Sequence, residues 1–175
     1  MARFDASSAE CLVFTYKKGL LSAIAHDLKI RVAKFEIEVD EQSRAIAARF
    51  DAASLRVMCA MQAGVKSPGT LSRDNKRQIE ANIVGDVLDA RTYPEIRFES
   101  SAVQDQGDAH VIKGTLSLHG KQRQITVRVR QEGDYYVAQA RLHQPDFGIH
   151  PYSALLGTLK VQADVTVQVS VPIAS

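Results

Sequence analysis

The chain contains no tryptophan, and phenylalanine and tyrosine together supply only 6% of its 175 residues. Aromatic rings are therefore not the main filling of its interior, and buried surface must come from Val, Leu, Ile and Ala. Cysteine is equally scarce. Cys11 and Cys59 stand far apart, with no Cys-x-x-Cys and no nearby pair of histidines. A structural zinc site needs four ligands, usually in close pairs, so a metal reading has no support. Two lone cysteines read as small buried hydrophobes, with a disulfide left open. Charge is nearly balanced, 22 basic against 20 acidic side chains for a net +2, and no basic stripe is interleaved with aromatics. A net charge that small gives no argument for an anionic membrane surface as partner, and no nucleic acid is expected.

Long apolar runs are missing too. No stretch approaches the ~20 apolar residues of a membrane-spanning helix. The opening "MARFDASSAE" has neither the charged start nor the apolar run of about 7–15 residues that a secretory signal requires. The expectation is a cytoplasmic protein as given, or a periplasmic or secreted one if a signal has been removed. The overall balance, 45% hydrophobic and 24% charged, is that of an ordinary globular domain. The length suits one domain over residues 1–175, with enough chain to bury a core.

What the chain has is alternation. In "LKVQADVTVQVSV", residues 159–171, seven small apolar side chains share one face and six polar ones share the other. A strand points successive side chains to opposite faces, so this reads as one long half-buried β-strand. The same period of two marks residues 28, 30 and 32, then 35, 37 and 39. The change of parity near Ala33 and Lys34 predicts a bulge or bend, because one extra residue flips the face. Further strands follow at 46–50, 55–57, 96–98, 116–118, 125–129 and 136–142. In "CLVFTYK" the alternation puts Leu12, Phe14 and Tyr16 on one side. The turn signals "DEQSR", "DQGD", "HGKQ" and "EGD" separate these segments, and their short regular spacing fits antiparallel hairpins.

One helix is expected, at "SRDNKRQIEANIVGDVLDA", residues 72–90. Ser72 is a good N-cap, and Asp74 sits in the first turn, where the helix end favours a carboxylate. Ile79, Ile83, Val84, Val87 and Leu88 form an apolar stripe, and Pro94 requires the helix to have ended. Glu80 falls within that stripe, at the rim of whatever the helix covers.

Strands with one apolar face can close as a barrel or stack as a sandwich. A barrel accounts better for the long strand, and barrels of about eight strands can enclose a small ligand. The expected fold is thus mainly all-β: an extended antiparallel barrel of about eight strands with one α-helix packed on it. Its inward set would be Phe14, Leu28, Ile30, Phe98, Leu116, Leu118, Ile125, Val127, Val161, Val165 and Val167. Ile83 and Val87 of the helix and Phe147 across a barrel end would complete the tunnel lining.

Chemical motifs are weak. His26-Asp27 precedes a strand and lacks the further ligands of a metal-dependent hydrolase, so His26 is either a buried structural histidine or one that lines the mouth. No Gly-x-Ser-x-Gly elbow and no Walker loop occurs. "SRDNKR" opens the helix, where free N–H groups and Arg73 could meet a phosphate, although a solvated helix start is the ordinary reading.

Four segments in order carry a resemblance: "AHDLKI" (25–30), "YPEIRFES" (93–100), "KGTLSLHGKQRQITV" (113–127) and "DFGIHPYSALLGTLKVQADVTVQVSV" (146–171). Together they resemble the YceI-like family of lipid- and polyisoprenoid-binding proteins across nearly the whole chain. The "VAKFEIEV" stretch departs from the family by lacking the glycines of a Gly-x-Phe-x-Gly-x-Ile strand. The resemblance implies a lipocalin-like barrel whose apolar interior holds an isoprenoid lipid, either a polyprenyl phosphate or an isoprenoid quinone. The reading this supports is non-catalytic binding, transport or storage with no cofactor, and the residue readings above leave His26 and Arg73 as candidate head-group contacts. A homodimer is left open. The competing reading is an isomerase or hydrolase acting on an apolar substrate in the same pocket. A third is a packed β-domain that binds a protein partner.

Overall fold

The computed structural model describes residues 1–18, 26–154 and 159–174, with Leu159 described by its backbone alone. The first half of the chain runs β1 (Ala2–Asp5), β2 (Glu10–Thr15), β3 (Asp27–Val32), β4 (Phe35–Val39), β5 (Ile46–Asp51), β6 (Leu55–Gln62) and β7 (Val65–Ser67). Helix α1 (Arg73–Asn82) follows. A meander then forms from β8 (Glu95–Gln106), β9 (Ala109–Leu118), β10 (Lys121–Glu132) and β11 (Tyr135–His143). The chain ends in β12 (Ser153–Ala154), β13 (Leu159–Lys160) and β14 (Asp164–Pro172).

Twelve strands form one antiparallel sheet in the order β1-β4-β5-β8-β9-β10-β11-β14-β2-β3-β6-β7, while β12 and β13 pair separately. The count exceeds the eight expected because two long strands are broken in two and the short edge strands β1 and β7 add two more. Consecutive strands β3 and β4 lie near opposite ends of the sheet, as do β5 and β6. Each pair is one long strand bent at a corner, and the bent hairpin joins the two ends of the curled sheet. Hydrogen bonds hold the corner: Ala33 N donates to Ser54 O at 2.9 Å, Lys34 N to Ser54 Oγ at 3.0 Å, and Asp51 N to Lys34 O at 3.0 Å. The bend falls where the apolar parity changes. Alternation on either side of it keeps Ile30, Val32, Phe35 and Ile37 buried.

The turn between β9 and β10 shows how local residues set the hairpins. His119 (φ 53°) and Gly120 (φ 74°) are its two central residues, and both are left-handed. That is the two-residue turn whose twist matches the strands it joins, and glycine takes the second position without strain.

Two expected elements are divided. The alternating run 159–171 is not a single strand: the chain bends at Gln162 and Ala163, and β14 begins at Asp164. Backbone groups at the bend are taken elsewhere, Ala163 O by Gln144 N at 2.8 Å and Gln162 N by Tyr16 O at 2.7 Å. The helix expected over 72–90 ends as an α-helix at Asn82 and continues as a π-helical turn over Ile83–Val87, with Leu88 N donating to Ile83 O at 2.9 Å. A wider turn advances less per residue, so it offsets the drift of a four-residue apolar repeat. Ile79, Ile83, Val87 and Leu88 consequently pack against the same core. At the other end Ser72 caps α1 in a capping box with Asn75.

Helix α1 also completes an edge. Strand β7 covers β6 only from Ala60 to Gln62. Beyond that, the Val57 N–H donates to Glu80 Oε1 at 2.8 Å, so the glutamate in the apolar stripe ties the helix to the sheet.

Candidate functional site

The curled sheet and α1 enclose a cavity of about 1,060 Å³. Ligand cavities commonly measure ~300–1,000 Å³, so this one stands at the large end. Its wall is apolar along most of its length. Val165, Val167, Val169 and Val171 of β14, Ile125 and Val127 of β10, and Leu116 and Leu118 of β9 all line it. The four valines and Ile125 and Val127 are only half-buried although they face inward. In a close-packed core such side chains would be almost wholly covered. The valine row therefore faces cavity rather than opposing side chains.

One wall position is reserved for a ring. Gly114 sits on the inward face of β9, opposite Ser100 on β8. A Cβ added there would come within 2.5 Å of Phe98 Cζ and of Glu99 O. The missing side chain lets Phe98 lie flat against the wall, buried to 8% exposure, instead of projecting into the lumen.

Polar groups gather at two ends. Near α1 the lining includes Thr15, His26, Asn75, Gln78, Asn82, Gln144 and Tyr152. Gln78 Nε2 donates to Asn82 Oδ1 at 3.2 Å, and Asn82 Nδ2 donates to the Tyr152 hydroxyl at 3.1 Å, forming a polar rail along the helix. At the tip of the β4–β5 hairpin the lining includes Asp40, Glu41, Arg44, His110 and Tyr136. There Arg44 Nη2 donates to Asp105 Oδ1 at 2.7 Å, and His110 Nδ1 also lies 2.7 Å from that oxygen. The Arg44 guanidinium, followed by His110, holds the Asp105 carboxyl down to about 2.

Cys11 lines the lumen wall at 1% exposure, and burial, with the nearby Glu10 charge, pushes its thiol up to about 12. Both cysteines are free and buried. Among the described residues no cluster of His, Cys, Asp and Glu is arranged to hold a metal ion.

Of the lining expected from the sequence, Leu28, Ile30, Ile83, Val87, Phe98, Leu116, Leu118, Ile125, Val127, Phe147, Val161, Val165 and Val167 all border the cavity, as does His26. Two residues are placed differently. Phe14 points to the outer face of the barrel, where its cross-strand neighbours are Thr166 and Lys29. The inward residues of β2 are Cys11, Val13 and Thr15, and Val13 stands between Val167 and Ile30. Because β2 is apolar at both parities, its own alternation could not choose the face. Arg73 is exposed on the first turn of α1 and borders no part of the cavity, whereas Asn75 and Gln78 do. The polar cluster at the hairpin tip escaped the sequence reading because its members come from three separate segments.

A curled antiparallel sheet wrapped around an apolar lumen, with polar groups confined to its ends, defines a hollow β-barrel rather than a filled β-domain. The chain belongs to the YceI-like family: the family model described as the YceI-like domain matches residues 4–173. Solved structures agree on the fold. A structure of BcnA from Burkholderia cenocepacia shares 18% identity and superposes with a TM-score of 0.66, covering 97% of this chain and 99% of that one. A polyisoprenoid-binding domain from Saccharophagus degradans, implicated in plant cell wall breakdown, shares 11% identity with a TM-score of 0.57 over 96% and 94% of the two chains. The YceI protein of Campylobacter jejuni shares 13% identity with a TM-score of 0.55 over 91% and 92%. None of the curated proteins compared with the chain matches it.

Proposed function

We propose that this protein binds a long isoprenoid lipid in its lumen, a polyprenyl phosphate or an isoprenoid quinone, and carries or stores it without chemical change. The observation that carries the reading is the large cavity whose inward valines and isoleucines remain half-buried. The name of the Saccharophagus degradans domain supports the isoprenoid class. Titratable groups support a holding role, because His26 stands at one end of the lumen and Asp40, Glu41, Arg44 and His110 at the other, away from the apolar stretch where a chain would lie.

Apolar burial is sufficient for useful affinity. Drug-sized ligands realise about 0.3 kcal/mol per heavy atom, so a chain of about forty carbons reaches roughly 12 kcal/mol, a dissociation constant near nanomolar. The test is native mass spectrometry of the purified protein, followed by lipid extraction and rebinding of a defined quinone and a defined polyprenyl phosphate. A co-purified isoprenoid, or saturable rebinding of either probe, is the expected result. A delipidated protein that takes up neither probe would overturn the proposal.

A further inference from the structure

The barrel wall has a slot that the lumen's two ends do not explain. Strands β10 and β11 pair only from Arg128 and Gln139 to Glu132 and Tyr135. Beyond that point β10 stays paired to β9 as far as Lys121, and β11 stays paired to β14 as far as His143. Both strands are held from behind while their facing edges part. A 3-10 turn at Gln144–Phe147 follows β11, and its Phe147 is buried to 2% exposure. This turn is anchored by Gln144 N to Ala163 O at 2.8 Å and by His119 Nδ1 to Phe147 O at 3.1 Å.

A cleft of about 850 Å³ occupies the gap. Its deep residues Ile125, Val129, Ala140, Leu142 and Phe147 also line the lumen, so the two spaces share one apolar floor. Its rim is rich in arginine. Arg123, Arg128, Arg130 and Arg141 border it, against one acid, Asp146. Arg130 is engaged by Glu132 at 2.6 Å, and Arg141 lies 3.5 Å from Asp164, which also receives His143 at 2.6 Å. Among the described residues no carboxylate pairs with Arg123 or Arg128. Unpaired edge amides and exposed guanidinium groups above an apolar floor suit a ligand with an anionic head and a hydrocarbon tail, because guanidinium matches phosphate oxygens in geometry and charge.

We propose that this slot is a lateral port, in which Arg128 and Arg141, diagonal neighbours on the outer face of β10 and β11, hold the phosphate of an isoprenoid monophosphate while its chain passes over Ile125 and Leu142 into the lumen. The proposal rests on the isoprenoid reading of the lumen and selects the phosphorylated class within it. It also places the head at the side of the barrel, not at the His26 end.

The test compares geranylgeranyl monophosphate, geranylgeraniol and inorganic phosphate on the full chain. The parent should bind the monophosphate at least tenfold more tightly than the alcohol. A variant carrying Arg128→Gln and Arg141→Gln should bind both lipids alike, at the parent's affinity for the alcohol. Both side chains are exposed, so its urea midpoint should match the parent's and exclude misfolding. A phosphate preference that survives in this variant, or that disappears instead in His26→Gln, would overturn the port. So would inorganic phosphate binding as tightly as the lipid monophosphate, which would mark a site for the free anion. Failure of the alcohol itself to bind the parent would overturn the isoprenoid reading beneath it, and the alcohol arm alone reveals that outcome.

Discussion

At the level of single residues, the lumen is shaped as much by an omitted side chain as by those present. Gly114 leaves room for the Phe98 ring, and a methyl group there would meet both the ring and the backbone oxygen of Glu99. Gly114→Ala should destabilise the fold by about 1–3 kcal/mol, the usual range for overpacking, measured as a lower urea midpoint. Asp105 makes a second residue-scale prediction. Its carboxyl is held at about 2 against an ordinary 3.8, first by the Arg44 hydrogen bond and then by His110. A depressed carboxyl contributes stability above its unfolded value and loses it as pH falls through its folded value. Asp105→Asn should therefore unfold at lower urea than the parent at pH 6, and the two midpoints should converge as pH falls from 4 towards 2.

The element that most needs its partner is α1, none of whose residues is buried. A helix of ten residues is marginal alone, so tertiary contacts must hold it. It rests its apolar stripe on the core and gives β6 an acceptor where β7 has ended. Removing that acceptor leaves a part-buried amide unpaired, which costs about 1–3 kcal/mol. Glu80→Ala should show this loss in its urea midpoint and faster hydrogen exchange at the Val57 amide. Glu80→Gln keeps an acceptor oxygen and should recover most of the difference. If Glu80→Ala exchanges Val57 no faster than the parent, the glutamate does not anchor the helix.

Across the whole molecule, the central question is whether the barrel is built to be filled by its own side chains or by something else. Val165→Trp places a large ring in the middle of the valine row. In a packed core the change would overpack, typically at a cost of about 1–3 kcal/mol. In a lumen the indole takes the place of ligand carbon. Lipid occupancy by mass spectrometry should fall, while the delipidated variant keeps the parent's urea midpoint. Clear destabilisation of that variant, with no lipid in the parent, would show the valines meeting protein instead.

Much of this arrangement was written locally. Alternation assigned Phe98, Leu116, Ile125, Val127, Val165 and Val167 to one side because a strand has only two faces and those strands are apolar on one. The parity change at Ala33 and Lys34 announced the corner, and Ser72 announced the helix start. Where both faces of a strand are apolar, as in β2, local pattern is silent. There Phe14 was sent outward by its neighbours Thr166 and Lys29, and Val13 inward by Val167 and Ile30. The bend at Gln162 and Ala163, the parting of β10 from β11 and the bond from Val57 to Glu80 are likewise not in any one segment. Side-chain parity is a property of a single backbone and survives in the sequence. Pairing, and the places where it stops, depends on which distant backbone arrives alongside, and only the assembled barrel decides that.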